Sequence, residues 1–219
     1  MHEPDSLAFE AGQWVSVPFG PKIVRAYSIA SPPHVPRVIT LCADVAPGGI
    51  GSAWFRALAP GAEVVFKGPL GGFVFARTDP RRPLFVAEEI GIVPVRSILT
   101  HLYATGFGRA ATLVYGAGPS RIYDGEMRSL ARRYPGFSYH PVTRAGVVTA
   151  VESLMNDGDR GASRLRRDAP SAGGFGGPFE APHEVIAYVA GGQASIRHVR
   201  EVLMAKGLER RAVKWEKFW

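Results

Sequence analysis

Arg25-Ala26-Tyr27-Ser28 brings a guanidinium, a flat aromatic ring and a hydroxyl together in four consecutive residues. On a strand, alternation puts Arg25 and Tyr27 on one face and Ser28 on the other. Arg25 can neutralise a phosphate, Tyr27 offers a stacking surface, and Ser28 offers a hydroxyl or amide donor. Further along, Pro47-Gly48-Gly49-Ile50-Gly51-Ser52 opens a helix. Its glycines admit close backbone approach, and the N–H groups of a helix start favour an anion. Alone, the same residues fit a capped helix start in which Ser52 is only structural. Arg25 nearby on a strand shifts the reading toward a phosphate-bearing ligand.

Three strand ends in the second half of the chain lead into unusual residues. Residues 84–87 run into Glu88-Glu89-Ile90-Gly91-Ile92-Val93-Pro94. Residues 111–115 run into Gly116-Ala117-Gly118-Pro119-Ser120-Arg121, and residues 185–190 into Gly191-Gly192-Gln193. In an open α/β sheet, ligands bind beyond the carboxyl ends of the strands. The second of these resembles the start of a dinucleotide fingerprint, with Arg121 where the third glycine belongs. One glycine after a strand is usually a turn; three such ends in one sheet point to a nucleotide-sized crevice.

The elements that must position these residues change character along the chain. Residues 14–17, 25–30, 38–45 and 62–67 are short runs rich in β-branched and aromatic residues, separated by Pro/Gly clusters. One helix, 51–58, interrupts them. This pattern predicts an all-β antiparallel barrel over residues 1–80. Asp79-Pro80-Arg81-Arg82-Pro83 reads as a linker, after which strands and helices alternate. Strands are expected at 84–87, 111–115, 137–142, 185–190 and 212–218, and helices at 95–105, 122–133 and 194–206. Such alternation predicts an α/β parallel-sheet nucleotide-binding domain over residues 81–219.

Composition narrows the function classes. The chain has 219 residues, 46% of them hydrophobic and 21% charged, which suits a globular fold. A single cysteine, Cys42, excludes an internal disulfide or a thiolate-ligated iron–sulfur cluster within the chain. The six histidines are scattered, with no metal-ligand spacing. No apolar run is long enough for a membrane-spanning helix, and the start lacks a signal-peptide pattern, so a cytoplasmic protein is expected. The net charge of +7 raises nucleic acid as a ligand. The one dense basic group, Arg160, Arg164, Arg166 and Arg167, carries no interleaved aromatic to stack a base. It reads as a solvated loop rather than a nucleic-acid site.

Arg25-Ala26-Tyr27-Ser28-Ile29-Ala30-Ser31 resembles the flavin-binding signature of the ferredoxin–NADP reductase family. Residues 9–15 resemble the strand entering the flavin site, Gly48-Gly49-Ile50-Gly51-Ser52 the pyrophosphate loop, and Gly68-Pro69-Leu70-Gly71-Gly72-Phe73 the turn closing the barrel. Gly91-Ile92-Val93-Pro94 resembles part of the nicotinamide loop, Thr143-Arg144 the Ser/Thr-Arg pair after the third strand, and Glu216-Lys217-Phe218-Trp219 the acidic-aromatic ending. The resemblance implies an FAD-dependent oxidoreductase moving electrons between NAD(P)H and a protein or small-molecule acceptor, such as a ferredoxin-like protein. It also implies roles. Arg25, Ala26 and the amides of Gly49, Ile50, Gly51 and Ser52 would hold the FAD pyrophosphate. Tyr27 would lie against the flavin and Ser28 near its redox-active nitrogen. Phe218 or Trp219 would shield the other ring face, with Glu216 beside them. Gly91 and Pro94 would meet the nicotinamide half, and Thr143 and Arg144 the adenosine half. Arg144 and Arg121 there lean toward NADPH over NADH.

Departures from that pattern bear on NAD(P)H. Glu88-Glu89-Ile90 stands where the family has Gly-Gly-Thr. A carboxylate about 4 Å from a phosphate charge costs roughly 4 kcal/mol at an effective dielectric of 20. That corresponds to about a thousandfold in affinity. The two side chains have three options: to point away, to pair with Arg96 or Arg144, or to be protonated. Ala190 and Ser195 replace a common Cys and Met, the usual first barrel strand is missing, and residues 157–182 replace a short connection. The alternative reading is therefore a flavin-binding electron-transfer subunit that works with a partner protein and no longer uses NAD(P)H directly.

Overall fold

The computed structural model describes residues 7–35, 37–164 and 182–218, with side chains omitted for 157–164 and Pro182. The chain divides into two compact units: Met1–Phe75 with Val93–Thr105, and Ala76–Ile92 with Gly106–Trp219.

The first unit is built on an antiparallel sheet, strands β1 (Trp14–Pro18), β2 (Val24–Ser28) and β3 (Lys67–Leu70), in the order β2-β1-β3. Helix α1 (Ile50–Ala57) follows the Gly48-Gly49 turn. Val15, Val17, Ile29 and Phe73 form its buried side. Alternation along β1 turns Val15 and Val17 inward, while Trp14 and Ser16 stay partly exposed. The expected strand at 38–45 does not form: only an isolated bridge, Ile29 to Leu41, remains there. The strand expected at 62–67 instead begins at Lys67, so residues read as a turn continue the sheet. Exposed Val64 and Val65 explain the difference, because their β propensity finds no face to pack against. Helix α2 (Ile92–Ala104) is grouped with this unit from Val93 onward. Its Ser97 hydroxyl donates to the Ser31 carbonyl at 2.8 Å, and Arg96 donates to the Ala30 carbonyl at 2.6 Å.

The second unit is a parallel sheet of β4 (Arg82–Glu88), β5 (Ala111–Gly116), β6 (Phe137–Val142), β7 (Val185–Gly191) and β8 (Val213–Lys217), in the order β6-β5-β4-β7-β8. β4, β5 and β7 are almost wholly buried, which is why they read as continuous apolar runs. Helices α4 (Val147–Arg164) and α5 (Gln193–Ala205) cover one face through Val147, Val151, Ile196, Val199 and Leu203. Phe85 stacks on its register partner Tyr188, ring centroids 5.4 Å apart. Helix α3 (Asp124–Arg133) packs by β6, where Tyr139 donates to Asp124 at 2.6 Å. Helix α4 was not expected: its apolar residues keep helical spacing, but the Gly/Arg-rich composition after residue 157 masked it. The expected loop over 157–182 begins as the end of α4, and residues 165–181 lie outside the described residues.

The Asp79–Pro83 stretch, read as a linker, carries its own bonds, and Arg82 and Pro83 already belong to β4. Asp79 accepts from Arg81 at 2.6 Å, and Arg109 donates to the Asp79 carbonyl at 2.5 Å. The Arg81 side-chain hydrogen bonds, more than any other influence, hold the Asp79 carboxyl below its ordinary value of 3.8. A lowered carboxylate pKa adds stability that is complete above the unfolded value and lost as pH falls through the folded one. Asp79→Ala is expected to cost about 1 kcal/mol at neutral pH by urea unfolding. The difference from the parent should fade on acidification below 3.8. A difference that persists unchanged in acid would show that charge is not its source.

Candidate functional site

Each unit brings together part of the residue set that the sequence singles out. In the first, β2 carries Arg25 and Tyr27 toward the start of α1. A side chain at Gly51 would run into the Tyr27 hydroxyl, and its Cβ would lie 3.8 Å from Arg25 Cγ. Gly51 thus lets the Tyr27 hydroxyl lie close against the helix start, and strand alternation is as expected, with Ser28 buried on the opposite side. The first-turn amides of α1 have no acceptor within the helix, and Gly49 at the N-cap offers no side chain to cap them. Ser52 is buried in that first turn. Donor amides, a nearby guanidinium and a flat ring fit a ligand with a phosphate and an aromatic system.

Trp54 and Phe55 also belong to this cluster, and sequence reasoning missed them. Tyr27 stacks on Trp54 with centroids 6.0 Å apart and meets Phe55 edge-on at 4.9 Å. Phe19 meets Trp54 edge-on at 5.5 Å. Two adjacent aromatics on a helix that begins with a glycine turn were the available signal. Burial in this cluster pushes the Tyr27 hydroxyl pKa up, and the Arg25 charge partly offsets it.

In the second unit, the sheet's carboxyl ends hold Glu88, Glu89, Gly118, Arg144 and Gly192. Glu88, the last residue of β4, accepts the Gly192 amide through Oε2 at 3.1 Å, and its Oε1 lies 3.3 Å from Arg144 Nε. Glu89 accepts the Gly118 amide at 2.9 Å and lies 3.6 Å from the same Nε. Of the options open in the sequence, pairing with Arg144 is the one adopted; Arg96 is taken up by the Ala30 carbonyl. Glu89 holds a left-handed backbone, φ 49°, a conformation that favours glycine. Gly91 packs its Cα against the Ala190 carbonyl, where a Cβ would collide.

The remaining expected residues are placed as follows. Pro94 lies buried in the first turn of α2, where its missing N–H costs nothing. Glu216 sits on β8 opposite Ala190, and the Phe218 amide donates to the Gly191 carbonyl at 2.9 Å. Trp219 lies outside the described residues. Arg121 donates to the Val142 carbonyl at 2.7 Å and lies over the Tyr115 ring, 5.9 Å from its centroid. The Thr143 hydroxyl accepts the Gly146 amide at 3.2 Å and caps the turn leading into α4. Among the described residues no group of three or more His, Cys, Asp or Glu could hold a metal.

Residues 1–75 match the family described as the oxidoreductase FAD-binding domain. Ferredoxin–NADP reductase B of Sorangium cellulosum is 36% identical over 132 residues, covering 58% of this chain and 54% of that protein. Terephthalate 1,2-dioxygenase reductase component 1 of a Comamonas species is 29% identical over 203 residues, 91% of this chain and 56% of that protein. Among solved structures, the Amycolatopsis cytochrome P450 reductase GcoB superposes with a TM-score of 0.73 at 26% identity, over 97% of this chain and 62% of its own. A Neisseria gonorrhoeae ferredoxin NADP+ reductase with bound FAD and NADP shares the fold, with a TM-score of 0.73 at 20% identity, over 99% of this chain and 90% of its own. In sequence and fold the chain is similar to ferredoxin–NADP reductase-like proteins, and its first 75 residues match their FAD-binding domain. It spans about half the length of these curated relatives.

Because the Thr143 hydroxyl is engaged as a cap, Thr143→Ala is expected to lower stability by about 1 kcal/mol. Thr143→Ser should restore most of it. An unfolding midpoint unmoved by Thr143→Ala would instead leave the hydroxyl available to a ligand.

Proposed function

We propose that the chain is the flavin- and dinucleotide-binding part of an FAD-dependent oxidoreductase, passing electrons between NAD(P)H and a protein or small-molecule acceptor. The observation that carries this reading is the close approach of Arg25 and Tyr27 to Gly51 at an uncapped helix start. When bound, FAD supplies the redox chemistry, and the protein supplies position and electrostatics. Arg25, with Ala26 beside it and the amides of Gly49, Ile50, Gly51 and Ser52, holds the pyrophosphate. Tyr27, braced by Trp54 and Phe55, offers its ring to the flavin, and Ser28 a hydrogen bond. By the resemblance, Phe218 or Trp219 would shield the flavin's other ring face, and Glu216 belongs to the same ending. Gly91, Pro94, Thr143 and Arg144 belong to the dinucleotide side. The reductase names of the relatives support NAD(P)H as donor and a redox protein, ferredoxin or oxygenase, as acceptor. A cytoplasmic setting is part of the same reading; no described helix is long and apolar enough to cross a membrane.

A second reading, a flavin subunit that receives electrons from a partner protein, is favoured by one observation: Glu88 and Glu89 occupy the strand-end amides. Anaerobic titration of the FAD-loaded protein with NADPH and then NADH, followed by visible absorption, separates the two. Bleaching by either supports the first reading; FAD retained without bleaching supports the second.

Arg25→Ala is expected to weaken FAD retention tenfold or more, as a lost charge-assisted phosphate contact requires. The check is the ratio of flavin to protein after gel filtration. A ratio equal to the parent's would move the pyrophosphate site elsewhere.

A further inference from the structure

Beyond the carboxyl ends of β4, β5 and β7, the amides of Gly118 and Gly192 are donors of the kind that an anion takes in an open α/β sheet. Gly192 is the N-cap of α5 and Gly118 lies in the Gly116-Ala117-Gly118 turn after β5. Both amides already have an anionic acceptor. Glu88 Oε2 takes Gly192 and Glu89 Oε1 takes Gly118, at 3.1 Å and 2.9 Å. Arg144 Nε faces both carboxylates, at 3.3 Å and 3.6 Å. Glu88 keeps only 9% relative exposure, so its carboxylate is withdrawn from solvent among these donors.

The backbone supplies an independent observation. Glu89 is held at φ 49°, where a residue with a Cβ is strained and glycine is not. A loop shaped for glycine therefore carries a side chain whose carboxylate spans to Gly118 and Arg144. Two carboxylates around one guanidinium leave the cluster with a formal charge of −1, which repels any further anion.

We propose that Glu88 and Glu89 are built-in competitors for a dinucleotide's diphosphate, so that NAD(P)H must displace both carboxylates from Gly118, Gly192 and Arg144 to bind. The proposal rests on the flavin-reductase reading of the chain. It makes Glu88 and Glu89 the residues that set dinucleotide affinity, by removing donors rather than by adding contacts.

The test is calorimetric titration of NAD+ and NADP+ into the FAD-loaded protein and into its Glu88→Ala, Glu89→Gly double variant. Neither oxidised dinucleotide can reduce the flavin, so the readout is binding alone. Tightening of tenfold or more for at least one dinucleotide is expected, since two amides and a cation are released together. A smaller change overturns the proposal, and a merely structural role would lower the melting temperature without any gain in affinity. If the double variant fails to fold, Glu89→Gly alone is read by the same threshold, because glycine suits the local backbone. Flavin absorbance of the same samples separates the two claims. Protein without bound FAD refutes the flavin reading, whereas bound FAD without tightening refutes only the competitor role.

Discussion

A carboxylate placed where a parallel sheet ends must find donors, because an ion out of water and without partners is too costly to keep. Glu88 meets that constraint with the Gly192 amide and Arg144, and Glu89 meets it with the Gly118 amide and the same arginine. These bonds tie the ends of β4, β5 and β7 and the turn after β6 to one point. Gly91 lies against the Ala190 carbonyl in the same place, so β4 and β7 cannot separate there without losing both packing and polar contacts. The strands further out depend on the register set between these central ones.

The first unit solves the opposite problem. Its helix start has glycine at the N-cap, and among the described residues no N-cap side chain takes up its first-turn amides. Gly51 lacks the Cβ that would push Tyr27 away, and Arg25 sits beside it with its side chain exposed. One donor set has no side-chain cap and the other is filled by glutamates of the same unit. The contrast arises from residue type at equivalent kinds of place: glycine at the start of α1, glutamate at the end of β4.

Legibility in the sequence followed burial. The β4, β5 and β7 strands are enclosed on both faces, and their apolar runs marked them within a residue or two. The first unit was harder to read. Apolar residues at 38–45 and 62–66 have strand propensity but form no strand beyond the Ile29–Leu41 bridge, and propensity without a packing face does not make a ladder. Helix α4 was hidden by the glycines and arginines near its end. Arg25 and Tyr27 stood out as candidates because a guanidinium and a flat ring share one face of a strand, and Gly51 and Ser52 because a glycine turn opens a helix. Trp54 and Phe55 did not, since an aromatic pair on a helix looks the same whether it packs a core or braces a ligand-facing ring. The sequence left the direction of Glu88 and Glu89 open among several options, because it depends on the Gly118 and Gly192 amides just beyond β5 and β7, which are distant in sequence.

That last dependence also changes how the arginines are understood. Arg121 and Arg144 by residue type favour a ligand with an extra phosphate, yet the fold uses both internally. Arg121 donates to the Val142 carbonyl, lies 3.9 Å from Asp124 and covers the Tyr115 ring. Arg144, although its side chain is 57% exposed, faces two carboxylates whose combined charge exceeds its own. A cation already outweighed by its neighbours offers little field to a 2′-phosphate, since selectivity depends on the net potential at the site and not on the count of arginines. The NADPH preference suggested by these two residues therefore loses its electrostatic basis. Any discrimination between NADPH and NADH in this chain has to arise from groups other than Arg121 and Arg144, or after the glutamates have moved.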